Sequence, residues 1–381
     1  MADGAKLLAR ARGMRGYALE RLERLVTTDS PSDEPELLRA IQRELAGGYL
    51  AAGARVEHVD GDHLVCHWPG PAPAPGSQDD GHVLLIGHCD TVFPRGTPTH
   101  RPFRLAPDGD TVTGPGVYDM KGALVAVELA MLLLAETGRS PRRPVRLVVV
   151  GDEETGSPDG QRVVAAHAEG AVAALGLEPP LPGGGLKVGR RGVARVEVVV
   201  EGLEAHAGLD AAQGVSAVDE LVDQLVALRA VRPGPPEAEL NVGTITGGTR
   251  ANVVAGRARA ELGLRFATVE AERSLLATLE ALRPVRAGAA IRTRRLSHRP
   301  VWTVDPANPV AARLVASAAA MGLRLSTGPS GGAGDTNLTG ARGVPTVDGL
   351  GPDGGGAHAV HEHASVASLL QRAALLADYL G

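Results

Sequence analysis

The sequence predicts a mixed α/β protein: a mainly parallel sheet flanked by helices, interrupted by an inserted α+β segment of split-βαβ order. Two observations carry this. Short continuous apolar runs rich in Val, Ile and Leu alternate with helical stretches, as strands buried on both faces do. From about Gly189 the order becomes strand, helix, strand, strand, helix, strand, which is the split-βαβ pattern and is long enough for a domain of its own.

Taken in order, residues 17–26 carry apolar side chains at helical spacing. The polar stretch from Thr27 to Asp33 stops that helix and caps a second over 36–46, so the first 55 residues read as two helices. Residues 83–86 form a buried strand that runs into Gly87 and His88, and 124–135 form a helix. Residues 145–150 lead into Gly151-Asp152-Glu153-Glu154, and 171–177 end at Glu178. The inserted segment reads as strands over 193–200, 240–245, 253–266 and 290–296, with helices over 215–228 and 269–282. Residues 308–321 and 367–379 read as closing helices separated by Gly-rich loops, and 71–76 as an exposed loop. The expected domains are therefore 1–188 and 298–381, forming one body, and 189–297, inserted into it.

The chain has 381 residues and a net charge of −5, which removes the basic field that nucleic-acid binders use. Aromatic residues are only 2%, too few for a base-stacking platform. Two cysteines, Cys66 and Cys89, provide neither a disulfide framework nor a Cys-rich zinc module. No apolar run reaches the roughly 18 residues of a membrane span. The N-terminal stretch lacks the apolar core and cleavage site of a signal peptide. The expectation is a cytoplasmic protein with no nucleic-acid or membrane partner.

The chemistry gathers where the apolar runs end, because open parallel sheets place functional groups just past the carboxyl ends of their strands. Three runs end in ligand types: His88-Cys89-Asp90, Asp152-Glu153-Glu154, and Glu178. Asp119 precedes a helix and alone reads as an N-cap, and His358 in its Gly-rich loop alone reads as solvated. Adjacent carboxylates at the end of a buried strand repel each other unless a cation or solvent compensates them. Together, two histidines and several carboxylates suit zinc, with cobalt or manganese possible. A single Asp such as Asp119 can bridge two metals, and one carboxylate of the Glu pair remains as a general base.

These runs resemble successive motifs of the dizinc metallopeptidase and aminoacylase family, M20, in its glutamate carboxypeptidase branch. The motifs are Gly87 to Pro94, Gly114 to Gly122, Gly151 to Ser157, Gly202 to Gly208 with Ala205-His206-Ala207-Gly208, and Gly356 to Glu362. The resemblance implies a catalytic domain of zinc-peptidase type with a ferredoxin-like lid that also dimerises. It implies two zinc ions per subunit: His88 and Glu178 on one, Glu154 and His358 on the other, Asp119 between them. It further implies Asp90 orienting His88, Glu153 as the general base, and His206 reaching the site of a neighbouring subunit in a homodimer. Asn252 and Arg265 match lid residues that contact the substrate's carboxylate, and Gly331 and Gly332 lie in a substrate-binding turn. Ala255 stands where the family's lid motif has Pro, and Thr327-Gly328-Pro329-Ser330 stands where glutamate-releasing members place an Arg shortly before the Gly-rich turn, so the amino acid recognised stays open. The implied activity is hydrolysis of an amide bond in an N-acyl amino acid or small peptide with a free C-terminal carboxylate. A deacylase of acetylornithine or succinyl-diaminopimelate type, or a catalytically silent metal-binding dimer, are the alternatives.

Overall fold

A computed structural model describes residues 2–59, 62–71, 81–231 and 237–381. The chain divides into two units. One comprises Met1–Gly189, Val304–Ser330 and Gly334–Gly381; the other comprises Arg190–Thr303 and Gly331–Ala333.

The first unit is built on a six-stranded sheet. His82–His88, Val145–Val150 and Ala171–Gly176 lie side by side and parallel, and Thr346–Val347 adds a parallel edge. The hairpin Arg55–Val59 and His63–Trp68 adds antiparallel strands on the other side. The central strand His82–His88 is buried at every position, which explains why it reads as a continuous apolar run rather than an alternating one. The register sets His88 opposite Val150 and Ile86 opposite Gly176, so the three strands end together. Helix Gly122–Glu136 is buried on nearly all sides, and the C-terminal helix Val366–Leu380 packs against it. Its single interior charge, Glu128, is met by Arg21 and Tyr17.

At the N-terminus the structure has three helices rather than two: Ala2–Gly13, Arg15–Thr27 and Pro35–Ala51. The first was hidden because its apolar face is narrow: Leu7, Leu8 and Ala11 are buried among arginines. The second runs straight on from it, broken only at Met14. The loop expected at 71–76 lies outside the described residues apart from Pro71.

The second unit is a four-stranded antiparallel sheet. In spatial order its strands are Ala238–Gly247, Arg257–Phe266, Gly192–Glu201 and Ala290–Arg299. Helices Ala217–Val231 and Val269–Glu280 bury their apolar stripes, including Leu221, Leu225, Leu275 and Leu279, in this unit's own core. The expected strand over 253–266 starts only at Arg257. Val253 instead bridges to His206 and the chain turns before joining the sheet. Among the described residues, no helix is long and apolar enough to cross a membrane.

Candidate metal centre

The shared carboxyl end of the three parallel strands gathers the first unit's polar residues. His88 closes its strand, 1% exposed, with Nε2 3.1 Å from Oδ1 of Asp119 and 4.0 Å from Oε1 of Glu178. Glu153 and Glu154 lie on a short turn after Val145–Val150, and Glu178 two residues beyond Ala171–Gly176. His358 reaches in from the loop before His363–Ser365. Its Nε2 lies 3.0 Å from Oε2 of Glu154 and 3.6 Å from Oδ2 of Asp119. The two oxygens of Asp119 thus face two different histidines.

Asp119 is not the helix cap that its position suggests. It sits in a tight non-helical turn at φ −123°, and the following helix starts at Gly122 with no side-chain cap. Gly116, at φ +76°, supplies the left-handed backbone that opens the turn.

Asp90 organises the centre from behind. It is 1% exposed and accepts the backbone N–H groups of Glu153 and Glu154 at 3.2 and 3.1 Å. It also accepts the Ser32 hydroxyl at 2.7 Å and stands 3.3 Å from Nδ1 of His88. Burial alone would raise its pKa, but these partners, His88 foremost, hold it below the usual carboxylate range. Burial likewise pushes His88 down, but Asp119 and Asp90 outweigh it and hold the imidazole well above its usual value. The hydrogen bonds of His358 to Asp119 and Glu154 raise it to about 10. Asp119 lies well below its usual value: burial raises it, and His358 and His88 prevail.

The donor set fits a divalent cation. Ligand atoms of His88, Asp119 and Glu154 lie within 4.8 Å of one another, as do those of His88, Glu153 and Glu178. Among the described residues, Asp119 and Glu154 ion-pair with histidines alone. Imidazole and carboxylate together suit zinc and its borderline neighbours.

Several supporting residues were not singled out from sequence. Glu362 accepts the N–H groups of Gly116, Tyr118 and Asp119, so it shapes the Asp119 turn. Its only sequence signal was its place beside the His358 loop. Ser157 donates to both oxygens of Asp335, and Arg101 donates to the carbonyl of Ala359 next to His358. These carry no local signal, because each acts across more than 170 residues of chain.

The remaining candidates lie in the second unit. His206 is exposed, and its Nδ1 accepts the N–H groups of Gly208 and Leu209 at 3.1 Å, leaving Nε2 without a partner among the described residues. Ala207 donates to the Asn252 carbonyl at 3.0 Å, which holds these two motifs together. Arg265 is elsewhere: Asn252 precedes strand Arg257–Phe266 and Arg265 nearly ends it. Eight residues of strand, about 26 Å, separate Arg257 from Arg265, so one chain does not bring Asn252 and Arg265 to the same carboxylate. Gly331 and Gly332 belong to this unit, where Arg190 donates to the Gly332 carbonyl at 3.0 Å.

Residues 84–381 match the model of peptidase family M20/M25/M40, and the chain belongs to that family. It is a metal-dependent hydrolase of the peptidase and amidohydrolase class. It is 30% identical over 335 residues to a succinyl-diaminopimelate desuccinylase of Gluconacetobacter diazotrophicus, covering 82% of this chain and 85% of that protein. It is 27% identical over 269 residues to carboxypeptidase G2 of a Pseudomonas species, covering 69% of this chain and 63% of that one. An aminopeptidase structure, PepT of Bacillus cereus, shares the fold with a TM-score of 0.70 and 20% identity, covering 96% of this chain and 98% of that one.

Proposed function

We propose that the chain is a two-metal amidohydrolase acting on an N-acyl amino acid or small peptide with a free C-terminal carboxylate. The observation that carries this is Asp119, whose oxygens each face a different histidine, each histidine having a further carboxylate beside it. His88 and Glu178 would hold one metal, His358 and Glu154 the other, and Asp119 both. Bound zinc, with cobalt or manganese as substitutes, would supply Lewis acidity to the scissile carbonyl and to the attacking water.

The chain's own residues do the rest. The carboxylate of Glu153 takes the proton from the attacking water and passes it to the departing amine. Asp90 aligns this base through the N–H of Glu153 while it orients His88, so one buried carboxylate sets both a ligand and the base. Nε2 of His206, from a second copy of the chain, donates to the carbonyl oxygen as negative charge develops there. Arg265 supports carboxylate recognition because its guanidinium is exposed and makes no ion pair among the described residues. Arg195, Arg259, Arg292 and Arg294 on the same sheet pair with glutamates, whereas Arg257 and Arg295 share the exposed, unpaired state of Arg265 among the described residues. The strand length between Arg265 and Asn252 supports a homodimer in which the two come from different subunits. Gly331 suits close approach of a ligand to the backbone, since a Cβ there would meet nothing within 4 Å and packing does not demand the glycine. A cytoplasmic location accords with these small polar substrates.

A biosynthetic deacylase is the second reading, favoured by the match to a desuccinylase over most of both chains. A silent metal-binding dimer would have no use for Glu153. A panel crossing N-acyl groups with C-terminal amino acids, with zinc and cobalt added separately, separates these readings. The main reading predicts broad tolerance of the acyl group and loss of turnover when the α-carboxylate is amidated. Turnover of succinyl substrates alone supports the deacylase, and turnover indifferent to the carboxylate overturns the proposal.

A further inference from the structure

Away from the metal centre, the first unit holds a cavity of about 220 Å³, alongside the C-terminal helix. Leu323, Leu325 and Leu375 form one apolar side; Ser368, Gln371 and Arg372 add polar groups from one face of that helix, and the charged Arg324 and Asp353 line the cavity as well. Arg372 is the unusual member. It is only 5% exposed, and its Nε and Nη2 donate to the carbonyls of Gly351 and Gly184. Nη1 has no hydrogen-bond partner among the described residues, and no carboxylate there lies within ion-pairing distance of the guanidinium. Asp353, across the same cavity, favours the charged guanidinium, but burial outweighs it and lowers the group to about 10. Arg372 is therefore a charged residue at neutral pH.

Buried cations are ordinarily paired, because an uncompensated charge in the interior is costly. The other buried guanidinium of this unit, Arg21, follows that rule with a two-point contact to Glu128. Arg372 does not, and it lines a space with an apolar wall. We propose that this cavity binds a small organic acid, its carboxylate on Nη1 of Arg372 and its short apolar body against Leu323, Leu325 and Leu375. A guanidinium suits that head group because its planar donors match a carboxylate. The site is tied to the metal centre: Arg372 holds the Gly351 carbonyl, and the Gly351 N–H donates to the carbonyl of Glu178 at 3.0 Å. An acid seated there lies two hydrogen bonds from Glu178.

Calorimetric titration of the full chain with hexanoate, hexylamine and inorganic phosphate tests this. The expected result is one saturable hexanoate site, no hexylamine binding, and phosphate weaker by about tenfold because it gains nothing from the apolar wall. Arg372→Gln should weaken hexanoate by about tenfold or more, the worth of a charged hydrogen bond. Should that variant fail to fold, Gln371→Trp leaves the guanidinium in place and puts an indole on a residue that lines the cavity. It should abolish hexanoate binding while amide hydrolysis and thermal midpoint stay as in the parent. Absence of saturable hexanoate binding overturns the proposal. Binding that survives Gln371→Trp does so too, since the acid then sits elsewhere, and so does phosphate binding as tightly as hexanoate.

Discussion

Glu128 and Asp119 are both largely buried carboxylates of the first unit, and they are compensated in opposite ways. Glu128, fully buried, receives two hydrogen bonds from Arg21 at 2.8 and 2.9 Å and one from the Tyr17 hydroxyl. The neighbouring helix passes so close that a Cβ on Gly48 would lie 2.0 Å from its Oε2, so a side chain there would have to displace the Arg21–Glu128 pair. Asp119, with Glu154 beside it, meets imidazoles only. The first region carries its own cation and is finished by folding. In the second, the imidazoles of His88 and His358 stand where an arginine would, and the carboxylates are kept together by backbone N–H groups bonded to Asp90 and Glu362. A protein that needed only to bury Asp119 and Glu154 had the first solution to hand. The second makes sense where the cation comes from outside.

That contrast can be broken by substitution. On the proposed two-metal reading, Asp119→Asn should lower kcat/KM on the order of a thousandfold and release metal, since the shared ligand and its charge would both be lost. Metal analysis beside steady-state kinetics checks it, and retained metal with full activity would place the metals elsewhere. Glu128→Gln should act on stability instead. Removing one partner of a buried pair costs about 3–5 kcal/mol in urea unfolding, with metal content unchanged. The double change Arg21→Met with Glu128→Leu should recover most of that loss, because packed apolar residues replace a buried pair well. No recovery would mean that the pair does more than neutralise itself.

Asp90→Asn sits between the two regions in size of effect. A residue that orients a ligand typically costs about 10–100-fold in metal affinity or activity, and the loss here should fall in that range with the fold intact. A smaller effect again comes from pH. A metal must displace the protons that the carboxylates hold on His88 and His358, the latter up to about 10. Apparent affinity for zinc should therefore rise with pH below that value, by about tenfold per unit for each proton displaced. Competition with a chelator across pH 6–9 measures this, and a flat profile would mean that the histidines are not ligands.

Much of this was legible in the sequence for a physical reason. Strands buried on both faces leave continuous apolar runs, so the polar residues that end them, His88, Glu153, Glu154 and Glu178, stand out. The split-βαβ order was legible because its strands and helices change period cleanly. Asp119 was harder, since an Asp ahead of a helix is ordinarily a cap, and only its surroundings show otherwise. The Arg21–Glu128 pair left no trace, and Glu362 only its place beside the His358 loop, because their contacts join segments more than 100 residues apart. The separation of Asn252 from Arg265 depends on where a strand begins, at Arg257, which sequence patterns locate poorly.

The central claim is that Glu153 moves the proton at a centre that the other residues hold together. Glu153→Gln keeps the shape and removes the base, so metal content and kcat measured on one preparation decide the matter. The account predicts two metals per chain retained and kcat lowered by about 10²–10⁴-fold. Two metals retained with kcat unchanged would contradict it.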